Sequence, residues 1–310
     1  MKKLTGVILA VILAISLGMI PTSAAANQGQ SGGNPLVISR LGIAQVQGQD
    51  VIIDVLVVVP AGKDPNEVAL EALRQQGARP LESAGLGSQG FTLTGLVWDN
   101  LPVIQYYNPG SAQTEAEPVS LQGQGQNALQ NTHSMWSGVT ESYYRMQFGL
   151  FGGITDRRPS LVRGKGPQYF DGYNDVAWLQ LGGNILGVTW YSTTIDEADM
   201  ALNTRYAWSL DGVSGYDAET VFLHENGHVV GLGHSSDTSA VMYPYYQGVR
   251  RNLGNDDAEG TTYLYDLKIT GSISGIVTDS NNTPIEGALV KLEGTSLQAF
   301  TGSDGRYTIS

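Results

Sequence analysis

The sequence predicts an α+β protein with more than one domain. Its 310 residues exceed what a single compact core usually needs. Segments with strand patterns and segments with helical patterns follow one another in separate blocks, and 40 glycines favour turns and loops between them. We expect a small α/β segment at residues 27–90, a central domain at residues 91–267, and a β-sandwich-like segment at residues 268–310.

Composition excludes several classes of protein and site. The chain is 41% hydrophobic and 15% charged, which is typical of a folded protein. Its net charge of −12 and pI of about 4.6 disfavour nucleic acid as a partner, because binding to phosphates needs a basic surface. The absence of cysteine excludes disulfides, thiolate metal ligands and cysteine nucleophiles.

Residues 1–26 have the pattern of a secretory signal peptide. Lys2 and Lys3 precede an apolar run at residues 7–20, and small residues at 23–26 offer a cleavage site. The alternative is a retained membrane anchor, but the apolar run is short for a bilayer span. We therefore expect cleavage, no stable membrane anchor afterwards, and a secreted, extracellular protein.

The first folded block is expected at about residues 35–90. A β-branched run at residues 51–59 predicts a strand, Pro60 interrupts it, and residues 64–76 predict a helix that Gly77 ends. This block is expected to be separate from the motif region described below. It is either a pro-segment or a packing domain.

The central block alternates strands with helices. Strands are predicted at residues 91–98, 101–107, 175–181, 185–191 and 197–203. Helices are predicted at residues 124–141 and 256–265, and a further helix carries the motif that begins at His224.

The stretch from His224 to His234 has the pattern HExxHxxGxxH and holds three of the four histidines in the chain. His224 and His228 are four residues apart, so they share one face of a helix and can bind one zinc ion. Gly231 lets the chain leave the helix with positive φ, which brings His234 back as a third ligand.

Three nitrogen ligands leave a fourth position open, which is typical of a catalytic rather than a structural zinc. Glu225, beside the first ligand, can act as general base on a water whose pKa the zinc lowers toward about 7. The alternatives are a surface helix with scattered histidines and an inactive relative. The glycine and third histidine argue against the first, and the intact glutamate argues against the second.

The region resembles the metzincin zinc proteases and, within them, the matrixins. The complete motif, Ser235 after it, a methionine-turn pattern at residues 241–244 and a closing-helix pattern at residues 256–265 carry the resemblance. It covers about residues 96–266. It implies a metzincin-like domain with a twisted mixed sheet, long helices, and the zinc helix at the back of a cleft.

The resemblance also implies roles for residues around the zinc ligands. Met242 forms a hydrophobic floor beneath them, and Pro244 and Tyr246 line the main specificity pocket. Leu186 and Gly187 lie in an exposed edge strand above the cleft, where an extended substrate can pair. The alternative for that strand is an interior position in the sheet, and for Met242 an ordinary core position.

The chain departs from the family pattern in ways that matter. Only His133 remains outside the motif, so it is interpreted as a structural histidine and a second zinc is not expected. Residues 170–172 resemble a family calcium loop, and Ca²⁺ there is the weaker alternative to simple solvation of the acidic side chain. Without cysteine the family's cysteine-switch latency cannot operate, so any inhibition by residues 27–90 needs another device.

The C-terminal block resembles the start of a carboxypeptidase regulatory-like domain. Patterns at residues 275–279, 284–290 and 302–307 carry this resemblance. About 40 residues are few for an independent sandwich, so the domain is expected to be incomplete. Its implied role is spacing or binding, without chemistry.

The sequence therefore predicts a secreted zinc metalloendopeptidase that acts on protein or peptide substrates. One rival is a non-catalytic adhesion or scaffold protein that retains the zinc fold. A second rival is a zinc amidase that acts on cell-wall peptides. The intact Glu225 argues against the scaffold, and the motif does not separate the amidase from the protease.

Overall fold

The computed structural model describes residues 35–81, 90–164, 166–192, 196–267, 273–291 and 298–309. The predicted signal peptide at residues 1–26 lies outside the described residues. Within those ranges, no helix is both long enough and apolar enough to cross a bilayer.

The secondary structure consists of strands and four α-helices among the described residues. The helices are α1 (Pro65–Gln75), α2 (Gly125–Ser137), α3 (Ala218–Val230) and α4 (Asn255–Leu264). The strands are β1 (Val37–Val46), β2 (Gln49–Val58), β3 (Arg79–Pro80), β4 (Val103–Asn108), β5 (Met146–Phe148), β6 (Asn174–Leu179), β7 (Ile185–Ser192), β8 (Ala198–Asn203), β9 (Trp208–Ser209), β10 (Tyr216–Asp217), β11 (Ile273–Ile276), β12 (Leu289–Lys291), β13 (Gln298–Phe300) and β14 (Arg306–Ile309).

One eight-stranded mixed sheet organises the molecule, with the order β3-β1-β2-β7-β8-β6-β4-β5. Strands β4, β5, β6 and β8 pair in parallel, whereas β7 pairs antiparallel with both β8 and β2. The predicted α+β class with a mixed sheet and a few long helices is confirmed, and it is consistent with a metzincin catalytic domain.

The β1–β2 hairpin extends this sheet, and its turn explains the register. Gln47 and Gly48 have φ values of 49° and 82°, which is the left-handed pair that a two-residue hairpin turn requires. After β2, Asp64 caps α1 by accepting hydrogen bonds from Asn66 N and Glu67 N. Pro65 at the first turn of α1 needs no intrahelical donor there.

The N-terminal block is not separate from the motif region, contrary to the expectation from sequence. Strand β2 pairs with β7 along seven residue pairs, from Val51–Ser192 to Val57–Ile185. The reason is that β2 is apolar on both faces, so it is stable only inside a sheet that is covered on both sides.

The two faces of the sheet are covered by different helices. On one face, Leu73 of α1 packs with Ile53, Val188 and Leu179. On the other face, α2 and α3 pack against the sheet and against each other, and the Trp136 indole on α2 donates to Leu223 O on α3 at 3.0 Å. The second face holds the motif helix.

One predicted strand of the central block does not form. Residues 91–98 make only an isolated bridge, between Leu93 and Leu232, and do not join the sheet. Their backbone instead follows the turn after α3, where Thr94 N donates to Gly231 O at 3.0 Å. The side-chain pattern of residues 91–98 predicts a strand, but the backbone of these residues finds its hydrogen-bond partners in the turn after α3 instead of in the sheet.

The described C-terminal residues form two short antiparallel pairs, β11 with β14 and β12 with β13. Most of their side chains are exposed or half-buried. The resemblance to a carboxypeptidase regulatory-like domain is not confirmed and stays a prediction.

Candidate metal centre

Helix α3 carries most of the predicted ligand motif, and its ends are well defined. Asp217 caps its N-terminus by accepting a hydrogen bond from Thr220 N at 2.9 Å. Every described residue of α3 except Glu219 is buried, so the helix is enclosed between the sheet and the other helices. It ends at Gly231, whose φ of 113° lies in the left-handed region.

Gly231 allows a turn that a side chain would obstruct. A Cβ at this position would lie 2.3 Å from Leu96 O, and that oxygen belongs to the backbone. Immediately after the turn, Gly233 N donates to Thr92 O at 2.8 Å. The chain thereby returns along α3, and His234 comes to lie beside His228.

The structure brings the three motif histidines together. Their ring centroids lie 5.0 Å apart for His224 and His228, 5.0 Å for His228 and His234, and 5.5 Å for His224 and His234. His224 Nδ1 lies 2.8 Å from Val241 O, and His228 Nδ1 lies 2.8 Å from Leu232 O. A carbonyl partner keeps the proton on Nδ1, which leaves Nε2 free as a metal ligand.

The Nε2 atoms of His224 and His228 are buried without a hydrogen-bond partner. Unpaired buried polar atoms are costly, and a bound metal ion removes that cost. The donor set therefore fits zinc, which prefers imidazole nitrogens.

The cluster also contains a carboxylate, Asp54, that was not predicted from sequence. One ligand atom from each of Asp54, His224, His228 and His234 lies within 4.8 Å of the others. Asp54 Oδ1 is 3.7 Å from His228 Nε2 and 3.5 Å from His234 Nε2, and Asp54 Oδ2 is buried without a partner. A sequence signal existed, because Asp54 is the only charged residue in the apolar run 51–59.

Ser39 on β1 lies beside Asp54. Its hydroxyl donates to Asp54 Oδ1 at 2.5 Å and lies 2.5 Å from His234 Nε2. Since β1 and β2 pair in register, Ser39 stands on the strand next to Asp54, and the hairpin brings both side chains to the cluster.

The electrostatics of the cluster favour a cation. Burial lowers the pKa of His224 to about 4 and the pKa values of His228 and His234 well below the ordinary histidine range. The neutral imidazole is the form that binds metal. Burial raises the pKa of Asp54 to about 8 and that of Glu225 well above its usual range. A divalent ion favours the ionised carboxylates and so offsets this burial.

Glu225 is oriented by the sheet above it. Its Oε2 accepts a hydrogen bond from the Thr189 hydroxyl on β7, and its Oε1 is buried without a partner. The side chain is completely buried. One oxygen is therefore fixed, and the other is available for a proton.

Met242 lies under the motif helix and is itself held by α4. A Cβ on Gly227 would lie 2.1 Å from Met242 Sδ, so the two elements are in close contact. The Asp257 carboxylate accepts hydrogen bonds from Val241 N at 2.7 Å and Met242 N at 3.0 Å. Asp257 thus fixes the turn that carries Met242. From sequence, Asp257 was predicted only as part of the helix at residues 256–265.

Comparison with known proteins agrees with this geometry. Residues 167–266 match the Matrixin family. Karilysin from Tannerella forsythia is 29% identical over 210 residues, which are 66% of this chain and 40% of karilysin. Matrix metalloproteinase-27 from Tupaia belangeri is 30% identical over 190 residues, 58% of this chain and 32% of that protein. Metalloendoproteinase 1 from Glycine max is 48% identical over 56 residues, 17% of this chain and 18% of that protein.

These similarities support a metzincin-like protease. The chain spans less than half the length of each of these relatives. The similarity to the Matrixin family implies zinc as the metal of the cluster. The central block predicted from sequence at residues 91–267 contains the matched residues 167–266, and we refer to it below as the matrixin-like domain.

The predicted position of Leu186 and Gly187 in an exposed edge strand is wrong. Strand β7 is buried throughout and lies inside the sheet, between β2 and β8. Gly187 is paired with Leu56 of β2 on one side and with Leu202 of β8 on the other. The N-terminal hairpin occupies the edge that the matrixin-like domain alone would expose.

Pro244 and Tyr246 line a cavity beside His224, together with Leu56 and Val221. The Tyr246 hydroxyl accepts a hydrogen bond from Asp217 N at 2.9 Å, which ties the wall of the cavity to the start of α3. The cavity lies next to the metal cluster.

His133 lies in the interior of the matrixin-like domain, outside the metal cluster. Its Nε2 lies 2.7 Å from Gln105 Oε1, and the Gln105 amide donates to Asn226 Oδ1 on α3 at 2.9 Å. Among the described residues, only the Asp54 cluster groups three or more candidate ligands closely enough to bind a metal. His133 therefore connects α2, β4 and α3 as a structural residue.

His133 should make stability fall in acid. Burial lowers the pKa of His133 from 6.5 to about 3. Between these two pH values His133 is protonated in the unfolded chain but neutral in the folded protein. The contribution of neutral His133 to the free energy of unfolding is therefore complete above pH 6.5 and is lost progressively as the pH falls toward 3. Relative to His133→Gln, the free energy of unfolding should drop by about 2 kcal/mol between pH 7 and pH 5, at about 1.4 kcal/mol per pH unit. Urea unfolding of both proteins at each pH measures this, and a constant difference would contradict it.

The calcium prediction stays a prediction. Asp171 Oδ1 accepts a hydrogen bond from Tyr173 N at 3.0 Å, and Gly172 N donates to Glu197 Oε2 at 2.6 Å.

Proposed function

We propose that this protein is a secreted zinc-dependent endopeptidase that hydrolyses peptide bonds within proteins. One observation carries the proposal. The Nε2 atoms of His224 and His228 are buried without hydrogen-bond partners in a cluster that could hold a metal ion. The Oε1 atom of Glu225, the residue after His224, is also buried without a partner. Two free ligand nitrogens and a free carboxylate oxygen are what zinc-dependent hydrolysis needs.

The residues of the site divide the chemistry among them. His224, His228 and His234 would hold the zinc ion, which would supply Lewis acidity to the reaction. Glu225 accepts the proton of the attacking water at Oε1, because Thr189 already occupies Oε2. The same carboxyl then passes the proton to the leaving amine. Met242 supports the ligands from below.

The substrate position follows from the borders of the cleft. Gly187 on β7 pairs with Leu56 of β2, so its backbone would be open to an extended peptide only after β2 has left. Pro244 and Tyr246 line the cavity that accepts a substrate side chain. An extended protein segment is therefore the substrate class that fits.

Secretion rests on the sequence pattern of residues 1–26, with its basic start, apolar run and small residues.

Removing zinc should abolish hydrolysis reversibly. Because the hairpin covers the cleft, the assay uses the full chain with a recognition sequence for a site-specific protease inserted between Leu81 and Gly90. After cutting and dilution, casein hydrolysis should be lost with a chelator and restored by one equivalent of zinc. Zinc binding without hydrolysis of casein or gelatin would favour the scaffold reading. Activity on cell-wall peptides alone would favour an amidase.

A further inference from the structure

The N-terminal hairpin occupies the upper border of the candidate cleft. Strand β2 pairs antiparallel with β7, and the register places Asp54 opposite Thr189 and Leu56 opposite Gly187. Thr189 is the residue that holds Glu225. The β2 backbone therefore takes the hydrogen bonds that β7 could give a substrate beside the metal cluster.

The same hairpin also occupies the lower border. Ser39 N on β1 donates to Pro244 O at 2.7 Å, and Tyr246 N donates to Val37 O at 3.1 Å. The acceptor Pro244 O and the donor Tyr246 N belong to the segment that lines the cavity beside His224. Both backbone borders of the cleft are thus bound by one hairpin of the chain itself.

The alternation of β2 directs Asp54 at the metal cluster. Ile53 and Val55 enter the core shared with α1, whereas Ile52 and Leu56 enter the cores on the α3 face of the sheet. Asp54 lies between Ile52 and Leu56 on the α3 face and is completely buried. A register slip of one residue would move the whole set to the other face, so the pairing fixes the carboxylate at the histidines.

Leu56 closes the site next to Asp54. Two residues further along the same face, it lines the cavity beside His224 and packs with Val221 and Phe222 of α3. The hairpin therefore places a carboxylate at the ligand nitrogens and an aliphatic side chain at the adjoining cavity.

We infer that Asp54 is a fourth ligand of the metal and that residues 35–81 are an internal inhibitor of the site. This inference rests on the proposed zinc endopeptidase function. Carboxylate oxygen is an ordinary zinc ligand, and a fourth protein ligand closes the position that a catalytic zinc keeps open. The hairpin blocks the substrate borders at the same time, so the chain is latent until residues 35–81 leave the cleft.

Cobalt substitution tests the ligand assignment without any activity assay. The full uncut chain is loaded with Co²⁺, and its visible absorption is followed while acetohydroxamate, a small metal-binding probe, is added. The wild-type spectrum should not respond, because Asp54 fills the fourth position. The spectrum of Asp54→Asn should change on titration, since an amide is a much weaker ligand of the same shape and keeps the contact to Ser39.

Asp50→Asn is the matched control, because Asp50 is an exposed carboxylate on the same strand. It should behave like the wild type. Asp54→Ala provides a second variant in case the amide itself coordinates. If the wild type, Asp50→Asn, Asp54→Asn and Asp54→Ala all take up the probe alike, Asp54 is not a ligand and the inference fails.

Proteolysis tests the inhibitor assignment with the cleavable full chain. Cutting converts an intramolecular contact into a bimolecular one, so dilution releases the hairpin. Casein hydrolysis should rise by about 100-fold or more, the factor expected when about 1% of uncut chains are open. Equal activity before cutting and after residues 35–81 have separated from the rest of the chain would overturn inhibition. No activity in any form, with the cobalt difference still present, would leave the ligand assignment standing and defeat the endopeptidase proposal.

Discussion

Glu225→Gln should lower kcat for peptide hydrolysis by about 10²- to 10⁴-fold while the protein still binds one equivalent of zinc. The amide has nearly the shape of the carboxylate, so the Thr189 contact and the fold can persist. It cannot accept the proton of water, and this removes the general base. The measurement is kcat on a fluorogenic peptide, made on the cut and diluted chain, beside zinc content.

Glu219→Gln is the matched control for this substitution. Glu219 lies in the first turn of the same helix, five residues before His224, and its carboxylate accepts a hydrogen bond from the Asn131 amide nitrogen at 3.0 Å. It should leave kcat within about twofold, because Glu219 is not among the residues of the metal cluster. If both variants retained full activity with zinc bound, Glu225 would not be the base.

The ligand motif could be predicted from sequence because its chemistry is local. Helical spacing places His224 and His228 on one face, and a glycine at position 231 predicts the sharp turn that returns His234. The tertiary contacts of the turn were not predictable, since Leu96 and Thr92 are distant in sequence and meet Gly231 and Gly233 only in the fold.

Asp54 could not be assigned a role from sequence, because its neighbours on the chain give no hint of the histidines. Its partners are 170 to 180 residues away, and only the pairing of β2 with β7 brings them together. The exposed-edge prediction for β7 failed for the same reason. Periodicity shows that residues 185–191 form a strand, but a strand apolar on both faces does not identify which neighbour it pairs with.

Strand β1 was missed altogether, and its sequence explains why. Residues 37–46 include Ser39, Arg40 and Gln45, which break the apolar pattern that marks β2. Ser39 is polar because it faces Asp54 and His234, so the residue that obscured the strand belongs to the metal cluster. Function at a site can thus weaken the local pattern that would have predicted its fold.

Gly231→Ala should lower the free energy of unfolding by about 2 to 5 kcal/mol. The left-handed conformation costs a non-glycine residue about 1 to 2 kcal/mol, and displacing a packed neighbour costs about 1 to 3 kcal/mol more. The second cost arises because the new Cβ would meet Leu96 O at 2.3 Å, and a backbone oxygen cannot rotate away. Urea unfolding of the zinc-free protein measures the change.

Gly95→Ala separates the two costs. Gly95 has a similar φ of 90°, but a Cβ there would have nothing within 4 Å. It should lose only the conformational part, about 1 to 2 kcal/mol. Gly231→Ala should also weaken zinc binding, because relief of the clash displaces the turn between His228 and His234, whereas Gly95→Ala should not. Equal losses of stability and unchanged zinc affinity would show that close packing at Leu96 does not position the third ligand.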